Sequence, residues 1–98
     1  MHSTRPTLQD LQNKITPYYA GQWTIIGTQL GIPSGTLQGI QASFPADAFC
    51  CCNKMFETWL DTDCNATWDK VYKAIKCPGV TKAIMNFQVN DGMYTFHN

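Results

Sequence analysis

The residues best equipped for chemistry in this chain are its five cysteines, three of them consecutive: Cys50, Cys51 and Cys52, with Cys64 and Cys77 further on. Thiolates bind soft metals and enter redox exchange, and spacing decides which of these is open to them. Adjacent residues of a helix point about 100° apart, so a consecutive run cannot converge on one ion as a spaced pair does. Cys64 and Cys77 lack zinc-ligand spacing, and the histidines, His2 and His97, stand at opposite ends of the chain. No adjacent base or run of cations lowers a thiol pKa, which weighs against a redox sensor. Cys52 reads as a small hydrophobe in the core, with Cys50 and Cys51 partly exposed. No serine or cysteine has a histidine nearby, and Gly27, Gly31 and Gly35 mark helix turns and ends instead of a phosphate-cradling loop. The sequence therefore predicts no catalytic residue, no cofactor and no metal, and a protein that acts through its surface.

Two sets of residues are candidates for that surface. Glu57, Asp61 and Asp63 form an acidic edge, and Lys70, Lys73 and Lys76 a basic one. Opposite edges on successive molecules would set register and speed encounter. Left to solvent, each local ion pair is worth only about 0–1 kcal/mol. The second set is aromatic: Tyr18, Tyr19, Phe44 and Tyr72. Aromatic side chains are enriched at binding hot spots, although half of these would simply close the core. Phe44, in the loop before Pro45, is the best expected exposed anchor, with Tyr18 beside it as a candidate.

Helices must position these groups. Thr7 can cap a first helix, with Asp10 three residues later and Leu8, Leu11 and Ile15 on one face. Pro17 should end or kink it at Thr16, with a bend over Tyr18-Tyr19-Ala20-Gly21. A second helix, over residues 22–30, buries Trp23, Ile26 and Leu30. Its Gly27 is costly in a helix interior and implies close approach of a neighbour. Gly31 suits a left-handed helix end, with Ile32 apolar beyond it and Pro33 as a stop. A short third helix from Ser34 buries Leu37 and Ile40. Pro45 opens a longer fourth, over residues 46–61, with Phe49, Cys52, Phe56, Trp59 and Leu60 inward and Met55 at the border. Asn65 is a plausible N-cap for a fifth, over residues 66–76, burying Trp68, Val71 and Ile75, with Asp69 and Lys73 paired four apart. Residues 80–87 suit a short sixth helix. Beyond it, alternation around Asp91-Gly92 is a hairpin signal, but an isolated hairpin is marginal in water, so a frayed tail is expected.

The 98 residues fit one domain. Seven basic and seven acidic residues cancel, and charged residues are only 14% of the chain, against roughly 25% in typical domains. Little charge means little repulsion between copies, which favours self-association. Phosphate binding needs a basic stripe, so nucleic acid is not an expected partner. No apolar run reaches a membrane span, and the start lacks the apolar stretch of a secretory signal. The odd cysteine count and the run of three fit a reduced, cytoplasmic protein better than a disulfide scaffold.

The ordered helical segments resemble the death domain. The resemblance rests on Trp23, Ile26, Gly27, Leu30, Gly31 and Ile32 in the second helix, and on Leu37 and Ile40 in the third. Met55, Phe56 and Trp59 carry it in the fourth helix, and Ala66, Thr67, Val71, Ala74 and Ile75 in the fifth. It covers residues 7–87, leaving an N-terminal arm of residues 1–6 and a tail of residues 88–98. It implies an all-α, six-helix antiparallel bundle in a Greek-key arrangement. It also implies an adaptor that binds itself or other death-domain proteins and builds oligomers, filaments among them, in apoptotic or innate immune signalling. Two contacting patches that differ give a heterologous interface, which propagates as an open helix unless rotation closes a ring. Two other readings stay open: a module that meets one partner one to one, and a cysteine-based redox-responsive regulator.

Overall fold

Short polar caps and glycine stops divide the chain into helices too short to be stable alone, so their stability comes from packing. The computed structural model describes residues 4–80. The order is α1 (Leu8–Lys14), α2 (Thr16–Tyr19), a 3-10 turn (Ala20–Gln22), α3 (Trp23–Gln29), α4 (Ser34–Ser43), α5 (Ala48–Thr62) and α6 (Trp68–Ile75). No strand occurs among the described residues. The helix expected over residues 80–87, the tail, and both histidines lie outside them, except for Val80, which is completely buried.

The caps explain the boundaries. Thr7 Oγ1 accepts the Asp10 N–H at 3.1 Å and starts α1. Gly31, at φ +90°, ends α3. Its N–H donates to the Thr28 carbonyl and the Ile32 N–H to the Gly27 carbonyl, both at 3.0 Å, the two hydrogen bonds of a Schellman motif. Gly27 is the point of close approach: a Cβ there would stand 2.7 Å from Leu37 Cδ2 and 3.1 Å from Met55 Cγ.

Three boundaries differ from the sequence expectation. The first helix does end before Pro17, at Lys14, but residues 18–21 are not a loop: Tyr18 and Tyr19 belong to α2 and Ala20 and Gly21 to the 3-10 turn, with Tyr19 off helical geometry at φ −127°. Pro17 sits in the first turn of α2, where its missing N–H costs nothing. The long helix starts at Ala48, not Ala46. Phe44-Pro45-Ala46-Asp47 is a turn, with Asp47 N–H donating to the Phe44 carbonyl at 3.2 Å and Ala46 at φ +62°, the pattern of a type II turn with proline second. Asp47 then caps α5 by accepting the Cys50 N–H at 3.0 Å. Finally, Thr67 and not Asn65 caps α6, through the Lys70 N–H at 3.3 Å.

Helix α5 is the spine of the core and packs against α1, α2, the 3-10 turn, α3 and α4, while α6 closes over α3. Trp23, Ile26, Ile32, Leu37, Ile40, Cys52, Phe56, Trp59, Val71 and Ile75 are all buried. Leu30 and Trp68, expected inside, are only half-buried at the margin. On α5 the buried arc is Cys51, Cys52, Met55, Phe56 and Trp59. Met55 is fully inside, not at a border, and Cys51 is buried, not partly exposed. Phe49, expected inside, is 49% exposed. A helix contacted on several sides buries a wider arc than a single stripe. Phe56 and Trp59 meet edge to face, with ring centroids 6.5 Å apart. Each fully buried side chain of this size contributes about 1.5–3 kcal/mol.

Candidate functional site

The two turns that flank the end of α5 create an open cleft. Two clefts, of about 480 and 270 Å³, share Leu30, Gly31 and Asp63 and form one trough. At one end Ile32, Pro33 and Trp59 give an apolar floor, with Thr36 and Thr58 at its rim. At the other end Lys70 and Lys73 of α6 line the wall. The Gly31 reversal makes room for the trough, because it turns the chain sharply between α3 and α4 without a side chain of its own.

Asp63 joins the two ends. Its Oδ2 takes the Trp59 indole N–H at 3.2 Å and lies 3.0 Å from Lys70 Nζ, and its Oδ1 accepts the Asn65 N–H at 2.9 Å. The backbone N–H of Asn65 foremost, and then Lys70, hold its carboxyl below the usual aspartate value. A contact not legible in the sequence fastens this corner. The Arg5 guanidinium donates to the backbone carbonyls of Asp63, at 3.0 Å, and of Leu60. It thereby caps the C-terminal end of α5, where carbonyls lack helical partners and a cation is favoured. Next to it the Trp68 N–H donates to the Thr4 carbonyl at 2.9 Å. Residues 4–6 are thus part of the folded body, with Pro6 buried.

The acidic and basic edges do not form two separate faces. Asp63 and Lys70 pair with each other, and Lys73 pairs with Asp69 at 3.2 Å. Lys76 Nζ stands 5.9 Å over the Tyr72 ring, which stacks on Trp68 with centroids 5.8 Å apart. Glu57 pairs with Lys54 at 3.4 Å on another side of α5, beside Phe44 and Cys50. Asp61 is exposed. The structure brings Asp63, Lys70 and Lys73 together at the trough and leaves Glu57 apart.

Of the aromatic candidates, Tyr18 is 74% exposed. Phe44 is not an exposed anchor: it is half-buried and packs on the core, as do Tyr19 and Tyr72. Phe49 takes that place, because the turn at Pro45 and Ala46 shifts the start of α5. Tyr18 stands on α2, and Phe49 stands in the first turn of α5.

All five cysteines are free thiols. Burial pushes the Cys52 thiol up to about 11 and also raises Cys51, while a side-chain hydrogen bond to Asp47 raises Cys50. Raised thiols hold little thiolate at neutral pH, which disfavours redox attack from this run. No group of three metal-ligating side chains occurs among the described residues, and no described helix is long and apolar enough to cross a membrane. The chain matches no protein-family model, no curated protein and no solved structure.

Proposed function

We propose that this chain is a protein-interaction module of the death-domain kind, an adaptor that binds further copies or related domains and builds oligomers. The observation that carries the reading is the exposure of two large aromatic side chains, Tyr18 and Phe49, on helices held rigid by a packed core. Rigid aromatic side chains offer contact area at little entropic cost, and such residues anchor interfaces. The near-zero net charge supports close approach of like copies. Further support comes from the segments that carry the family resemblance, since Trp23, Ile26, Phe56, Trp59, Val71 and Ile75 all enter one core. The five free thiols support a reducing location such as the cytoplasm. Sedimentation velocity at rising concentration tests the proposal. Growth of species larger than a dimer is expected, and a monomer throughout the range would overturn it.

A further inference from the structure

The proposed self-association leaves open which surfaces meet. The trough beneath Leu30 and Gly31 is open to solvent, and its larger cleft, at about 480 Å³, falls in the range of about 300–1,000 Å³ typical of sites that hold a ligand-sized group. One end has Leu30, Ile32, Pro33 and Trp59 beneath a rim of threonines, and the other carries ammonium groups. The charged groups that line the trough are Lys70 and Lys73 against Asp63, an excess of one positive charge. Lys73 is 79% exposed, so its ammonium keeps donors for a second acceptor.

At the opposite end of α5 stands a group of matching composition. Phe49 projects from the first turn, and Asp47 precedes it by two residues. The Cys50 N–H and a side-chain hydrogen bond to Cys50 keep Asp47 ionised below the usual aspartate range. Phe49 cannot reach the trough of its own molecule. Ten residues separate it from Trp59, about 15 Å along a helix at 1.5 Å per residue, and the helix is held rigid between its neighbours. We infer that the Asp47–Phe49 knob of one copy docks in the Leu30–Lys73 trough of the next, with Phe49 over the apolar floor and Asp47 toward Lys70 and Lys73. Complementary charge sets the direction of the contact. Because knob and trough are different surfaces at opposite ends of one helix, the contact is heterologous and each added copy presents a fresh trough or knob.

The inference rests on the self-association proposed above, and the test separates the two. Phe49→Asp removes the knob and leaves the trough. Thr36→Arg and, independently, Lys73→Glu obstruct the trough and leave the knob. All three positions are exposed, and circular dichroism checks that each variant keeps its helices. In sedimentation velocity at a concentration where the unaltered chain forms large species, each single variant should lose assembly. An equimolar mixture of Phe49→Asp with Thr36→Arg should form a one-to-one dimer and stop, because only one trough and one knob remain. Folded variants that assemble like the unaltered chain, or a mixture that stays monomeric, would overturn the pairing and leave self-association standing. An unaltered chain that never assembles would overturn both.

Discussion

The hydroxyl of Thr16, completely buried, donates a 2.8 Å hydrogen bond to Asn53 Oδ1 and so ties α2 to the spine helix α5. Its other polar neighbour is Cys52 Sγ at 3.7 Å, a weak acceptor. The two partners should therefore respond unequally to removal. Thr16→Val keeps the shape and leaves only Asn53, which is half-buried and reaches water, at a cost of about 0.5–1.5 kcal/mol. Asn53→Ala strands a buried donor and should cost about 1–3 kcal/mol. Urea unfolding measures both. An Asn53→Ala variant no less stable than Thr16→Val would show that the hydroxyl does not depend on Asn53.

Gly27 is predicted to resist even one added methyl group. Alanine would gain about 1 kcal/mol of helix propensity, but its Cβ would stand 2.7 Å from Leu37 Cδ2 and 3.1 Å from Met55 Cγ. Leu37 and Met55 are both buried and cannot swing into solvent. Overpacking costs about 1–3 kcal/mol, so a net loss of about 1 kcal/mol is expected. In a Leu37→Ala background the nearer obstacle is gone, and Gly27→Ala should then cost less than it does alone. A double-mutant cycle on urea midpoints reads the difference, and additive effects would mean that the two residues do not compete for space.

The positions just described mark how far the sequence could be read. Gly27 and Gly31 were legible because a helix gives an interior glycine and a terminal glycine different reasons to exist. The buried stripe of Ile26, Phe56, Trp59 and Val71 followed from spacing alone. Phe49 was misplaced because the turn at Ala46, a left-handed alanine that no pattern signals, leaves it in the first turn of α5, at the end of the packed stripe. The wide buried arc of α5 depends on how many helices surround it, which spacing does not state. The trough drew on contacts that span the chain. Arg5 reaches carbonyls 55 and 58 residues away, and no local periodicity carries that information. Asp63, Lys70 and Lys73 were legible as charges, but their mutual placement was not.

Asp63 should make the corner near Arg5 acid-labile. Its folded pKa lies below the ordinary aspartate value of 3.8, chiefly through the Asn65 N–H and then through Lys70. A carboxyl that titrates lower in the folded state stabilises fully above its unfolded value, and that contribution disappears as the pH falls through the lowered folded value. The Trp59 indole N–H, bonded to the same carboxylate, reports the titration directly. Its proton chemical shift in NMR should change with a midpoint below 3.8 and stay flat over that range in Asp63→Asn. A midpoint at or above the ordinary value would remove the proposed hydrogen-bond support.

Arg5 should matter locally more than globally. Its guanidinium serves two carbonyls at the end of α5, Leu60 and Asp63, in a position where a cation also meets the negative end of the helix. The side chain is exposed, so Arg5→Ala should cost only about 1 kcal/mol in global unfolding. The larger effect falls on the arm, because Arg5 fixes the strand of backbone whose Thr4 carbonyl accepts the Trp68 N–H. Hydrogen exchange at the Trp68 amide should therefore accelerate in Arg5→Ala, while exchange at the core amides of Ile26 and Phe56 should change only by the global amount. Arg5→Lys keeps the charge but loses the planar fork that spans two acceptors, so it should recover part of the protection and not all of it. If Trp68 exchanges equally fast in all three forms, Arg5 does not hold the arm, and the trough-side end of α5 must be closed by the Asp63 contacts alone.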